Sequence, residues 1–133
     1  MLKRDFILVQ IEELGKMVAQ MTLNRNANDG ARENPELIQS VYDSLRIDAD
    51  FLLRGTPEEI HRTLNCDDDH GLPRMEVAAK TLLEESFLAP EPHRLRAKAK
   101  ELLEYIQRED TTFSLERMAL LADIDSYRAG CPK

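Results

Sequence analysis

The residues best suited to chemistry lie in one stretch, Glu58 to His70. Glu58-Glu59-Ile60-His61 carries Glu-x-x-His, which puts a carboxylate and an imidazole on one helix face. Di-iron bundles use this motif twice, with two more inward glutamates. Here it occurs once. Asp67-Asp68-Asp69-His70 gives Asp-x-x-His in a segment that reads as a loop, and Cys66 and His70 stand at ligand spacing. The sharpest chemical reading is a mononuclear metal site from His61, Cys66, Asp69 and His70, and with it a small metal-dependent enzyme. Against it, Glu58 is explained by a helix start, and the aspartates by the positive end of the helix that follows. An EF-hand does not fit: with its glycine at Gly71, Cys66 takes the first ligand position and Val77 the last. The expectation is therefore no catalytic residue, no metal and no cofactor.

Other reaction signatures are absent. There is no Gly-x-Ser-x-Gly, no phosphate-binding Walker loop and no dinucleotide fingerprint, and the chain has only five glycines. Adjacent acids such as Glu12/Glu13 and Glu84/Glu85 point about 100° apart on a helix, so they read as solvated surface. The one basic cluster is His93-Arg94-Leu95-Arg96-Ala97-Lys98-Ala99-Lys100. Arg94/Lys98 and Arg96/Lys100 form two like-charged rows at the start of a helix, against each other and against the macrodipole. Acids within the chain are the first expected compensation. An acidic partner or a phosphate-bearing ligand on Arg94, Arg96, Lys98 and Lys100 is the alternative. Nucleic acid is not expected: no aromatic interleaves the cluster, and the formal net charge is -7.

These residues must be positioned by helices. Leucine occurs 19 times and alanine 12, against 11 for valine and isoleucine together, and no strand-length alternation is present. A first helix is predicted over Leu2 to Leu23. Ile7, Ile11, Leu14, Val18 and Met21 form its core stripe, and Phe6, Val9 and Met17 widen the face. Gly15 sits inside it at a cost of about 1 kcal/mol and makes a flat patch with Ala19. The extra width suggests a dimer through Phe6, Val9 and Met17. Asn24 to Asn34 reads as a polar loop. Asn34-Pro35-Glu36 reads as N-cap, first-position proline and first-turn acid of a second helix, which buries Leu37, Ile38, Val41, Tyr42 and Leu45.

Asp48 should cap a short turn over Phe51 to Leu53, stopped by Gly55. Thr56-Pro57-Glu58-Glu59 is a capping box opening a short helix that buries Ile60 and Leu64. Cys66 to Pro73 is a loop. Three further helices follow, at about Pro73–Leu88 (inner face Met75, Ala78, Ala79, Leu82, Leu83, Ser86), Pro92–Glu109, and Ser114–Tyr127. The last is expected to bury Leu115, Met118, Leu121, Ala122 and Ile124. Their short connections make antiparallel neighbours.

The 133 residues fit a single domain, 1–133, with an N-terminal helical half, 1–66, and a three-helix antiparallel half, 67–133. The opening has only four unbroken apolar residues, so no secretory leader is expected, and no stretch is apolar enough to span a membrane. A cytoplasmic location follows as the default. Cys66 and Cys131 then read as free thiols, and Cys131 is misplaced for a prenylation box.

Arg4-Asp5-Phe6-Ile7 with Ile11-Glu12-Glu13, and the passage from Leu45 to Ile60, resemble a family of small uncharacterised bacterial all-helical proteins, a domain of unknown function. The resemblance covers the first half best. It implies that Met75 to Tyr127 continues into tetratricopeptide-like helical hairpins, although no repeat signature is met, and it brings no activity. The fold expected is all-α, of about six helices, in a bundle or a short stack of antiparallel hairpins. The function expected is a non-enzymatic protein–protein interaction or scaffold module, self-associating as a homo-oligomer.

Overall fold

The computed structural model of the chain describes residues 3–27, 30–66 and 68–128. Seven α-helices follow in order: α1 (Lys3–Arg25), α2 (Asn34–Leu45), α3 (Ala49–Arg54), α4 (Pro57–Asn65), α5 (Gly71–Ser86), α6 (Pro92–Glu109) and α7 (Leu115–Arg128), with a 3-10 turn at Gly30–Glu33 before α2. No strand occurs among the described residues, and the fold is all-α. The passage after Asp48 is a helix of its own rather than a turn. Leu2, Asn28, Asp29, Asp67 and Cys131 lie outside the described residues. No described helix is long and apolar enough to cross a membrane.

Local signals act as their chemistry requires. The Thr56 hydroxyl accepts from the Glu59 amide at 3.1 Å, and the Glu59 carboxylate accepts from the Thr56 amide at 3.0 Å. Asp48 accepts from the Phe51 amide at 2.8 Å, and Ser114 from the Arg117 amide at 3.1 Å. Asn34 departs from its expected role as a cap. It lies inside α2, buried, where its amide donates to the Met21 carbonyl at 3.1 Å and its oxygen accepts from Asn24 at 3.1 Å. A side chain that bonds the end of α1 cannot also cap α2. Glu33 stands at the cap position without a side-chain bond.

Helix α5 is the centre. Met75, Ala78, Ala79, Leu82, Leu83 and Ser86 are all buried, as their spacing predicts. From Val77 to Glu84 only Lys80 is not buried, and the side of the helix that reaches water is the narrow strip through Pro73, Glu76 and Lys80. It packs against α1, α2, α4 and α6, while α7 packs on α6. One hydrophobic cluster runs from Leu14 on α1 to Ile124 on α7 and crosses the expected boundary near residue 66.

Helix α7 is rotated from the expected phase. Leu115 and Met118 are exposed, as is Ala122, while Arg117 and Ile124 are buried and Leu120, Leu121 and Tyr127 are half-buried. The cause is Arg117. Its guanidinium reaches Gln107 on α6 at 2.8 Å, Asp110 at 3.0 Å and Glu76 on α5 at 3.1 Å. Three acceptors on one side of the helix turn that side inward, and the apolar line through Leu115 and Met118 is left outside.

Replacing Asn34 with alanine removes the partner of the buried Met21 carbonyl and of the Asn24 amide. The Asn34→Ala protein should lose about 1–3 kcal/mol in urea unfolding. Gln39→Ala, which breaks only an exposed bond on the same helix, should stay within about 0.5 kcal/mol of the parent.

Candidate interaction site

The stretch whose residue types best suit chemistry forms a tight turn. Helix α4 ends at Asn65, and Cys66 and Asp69 take positive φ angles, 50° and 62°. Arg74 on α5 locks the turn: its guanidinium donates to Asp68 at 2.8 and 2.6 Å and to the Leu64 carbonyl at 2.9 Å. Asn65 accepts from the Gly71 amide at 3.0 Å. A Cβ at position 71 would stand 2.6 Å from the His61 ring and 2.9 Å from the Asn65 backbone, so only glycine fits where α5 crosses the end of α4.

The four candidate ligands go separate ways. His61 Nδ1 lies 2.9 Å from the Tyr105 hydroxyl on α6. Cys66 is exposed, its thiol 3.9 Å from the Thr63 carbonyl. Asp69 accepts from Asn65 at 3.1 Å. His70 Nδ1 is buried 3.6 Å from Asp68. Among the described residues no three His, Cys, Asp or Glu side chains form a group able to hold a metal ion.

The basic run is mostly used inside the molecule. Arg96 is buried, donates from Nε to the Ser86 hydroxyl at 2.9 Å, and stands 4.7 Å from the Phe87 ring centre and 5.0 Å from that of Tyr127. Lys98 donates to the Gly55 carbonyl at 2.6 Å and pairs with Glu101 at 3.0 Å. Lys100 pairs with Asp125 on α7 at 2.6 Å. The expected compensating acids are thus Glu101 and Asp125, while Arg96 takes a hydroxyl and two aromatic rings instead. Arg94 is exposed.

Glu84 and Glu85 are not the solvated pair expected from their adjacency. Glu84 is buried and accepts from Arg25 at 2.8 and 3.0 Å and from the Thr22 hydroxyl at 2.8 Å. Its carboxylate holds the Arg25 guanidinium above its ordinary pKa. Glu85 accepts from the Tyr42 hydroxyl at 2.7 Å, and burial, then the Glu85 charge, push that phenol far above its usual range. The missed signal was spacing: Glu84 shares a helix face with the apolar Val77 and with Thr81.

One of the open grooves, of about 300 Å³, lies over α5 between α1 and α7. Its apolar lining includes Ile11, Val18, Val77, Leu83 and Leu120, and its α1 wall is low because Gly15 and Ala19 stand there. Lys80 bridges the other side to Glu76 and Glu116, both at 3.3 Å. Of the residues expected to make an interface, Phe6 and Val9 are about half exposed, whereas Met17 packs against the core. Leu8 and Leu23, which the sequence reading did not single out, are exposed at 45% and 63%. The groove's fourth charged side chain, Glu84, pairs with Arg25 at 2.8 Å.

The Asp68–Arg74 pair has a pH signature. The Arg74 hydrogen bonds, helped by the His70 amide, hold the Asp68 carboxyl down at about 2 against an ordinary 3.8. Stability from this pair is fully present above about pH 4 and is lost as pH falls through about 2. It amounts to on the order of 1–2 kcal/mol. Urea unfolding of Asp68→Asn should show a lower midpoint at pH 7, with the gap to the parent closing between about pH 4 and pH 2. In comparisons with known proteins, no family model, no curated protein and no solved structure matches this chain.

Proposed function

We propose that this protein is a helical protein–protein interaction module rather than an enzyme. The observation that carries the reading is the open apolar groove between α1, α5 and α7; Leu8 and Leu23 of α1 are exposed as well. Contiguous apolar surface costs free energy while it faces water, and that cost is removed when a partner covers it. The polar side chains beside the groove are occupied with one another, so they offer no reactive group to a substrate. A groove walled by two helices and floored by a third suits an amphipathic helix. A cytoplasmic location and kinship with the small bacterial all-helical family belong to the same proposal. Neither adds a reaction.

A carboxylate placed in the groove tests it. Ala19 is exposed, so Ala19→Glu should leave the circular dichroism spectrum and thermal midpoint close to the parent's. Affinity capture with tagged parent protein should retain a set of proteins that Ala19→Glu fails to retain. Identical capture by the two proteins would sink the reading.

A further inference from the structure

We infer that the occupant of this face is a second copy of the chain, docked antiparallel through α1 about a two-fold axis between Gly15 and Lys16. The inference rests on the interaction-module reading and names its partner.

The first observation is Gly15. A Cβ built there would meet nothing within 4 Å, so no contact within the subunit needs a glycine in the middle of α1. Glycine in a helix interior is unfavourable relative to alanine. A second helix crossing at this point would need it, because only small residues let two helix axes come close.

The second observation is the pattern around it. At about 100° per residue, Leu8, Glu12, Gly15, Lys16, Ala19 and Leu23 fall in one arc of α1, and all six are exposed. Leu8 and Leu23 are equally distant from the point between Gly15 and Lys16. An isologous contact sets residue i on j and j on i. An antiparallel pair centred there puts Leu8 of each copy against Leu23 of the other, at both ends of a small-residue crossing.

Charge then selects the direction. In the antiparallel pair, Glu12 of one copy lies about 4.5 Å along the axis from Lys16 of the other, and symmetry makes two such pairs. A parallel pair would set Glu12 on Glu12 and Lys16 on Lys16. Among the described residues Lys16 pairs with Glu13, at 3.4 Å with both side chains well exposed. That contact is weak enough to exchange for a new one. Gly15 and Ala19 also line the groove, so the second helix covers its α1 edge.

Sedimentation equilibrium of the full chain at micromolar concentration tests the inference. The parent should be a dimer that dissociates on dilution. Gly15→Leu should be monomeric at the same concentrations, with unchanged helix content, since its side chain meets open space in the subunit. Glu12→Lys alone and Lys16→Glu alone should each weaken the dimer about tenfold, because each sets like charges together twice. Mixed in equal amounts, these two variants should form a heterodimer, since both cross-pairs are then opposite in sign. A monomeric parent, a dimer indifferent to Gly15→Leu, or a mixture that does not associate would overturn the inference. If the parent is monomeric while capture still depends on Ala19, the module reading stands and the partner is another protein.

Discussion

The structure depends on the near-complete burial of α5. A helix with so little solvent face must be covered on nearly every side, and α1, α2, α4 and α6 do so, leaving the strip through Pro73, Glu76 and Lys80 under the groove. Its small residues allow this: Ala78 and Ala79 let neighbouring helices approach, and Gly71 lets α4 cross its first turn. Burial also leaves its polar groups no water. Thr81 donates back to the Val77 carbonyl at 2.8 Å, and Ser86 bonds the Leu83 carbonyl while accepting from Arg96. A buried donor or acceptor left alone costs more than the same group paired gains, so each of these bonds is also a constraint on where its partner helix lies.

The last turns of α5 carry most of that constraint. Glu84 holds Arg25 and Thr22 of α1, Glu85 holds Tyr42 of α2, and Ser86 holds Arg96 of α6. Phe87 follows, with Arg25 3.9 Å from its ring centre and Tyr127 of α7 edge-on to it at 5.4 Å. One end of one helix thus gathers side chains from four others. Directional polar bonds set the angles of helices whose apolar contacts alone would tolerate sliding. This also explains why the basic run on α6 does not present a cationic face: three of its four Arg and Lys side chains are held by neighbouring elements.

With that much polar surface satisfied internally, the groove between α1 and α7 stands out. Its apolar walls meet no further helix of the described chain, and Gly15 and Ala19 keep one of them low. The reading of the protein as a docking module comes from this contrast between a largely paired polar interior and an unfilled apolar channel, together with charges on α1 that a two-fold partner would complement.

Helix identity was legible in the sequence because it is local. The capping box at Thr56, the caps at Asp48 and Ser114, and the stripe of Ile7, Leu14, Val18 and Met21 follow from side chains within a turn or two of each other. The core face of α5 was legible for the same reason. Three kinds of fact were not. The rotation of α7 was decided by Arg117, whose acceptors come from α5, α6 and the turn after α6. The burial of Glu84, Asn34 and Arg96 was decided by partners 10 to 62 residues away along the chain. The dispersal of His61, Cys66, Asp69 and His70 was decided by the turn that Arg74 and Gly71 impose. Periodicity reports which residues share a helix face. Only the packing of whole helices decides which face meets water and which meets a partner, because the energy of a buried polar group depends on a bond to another part of the chain.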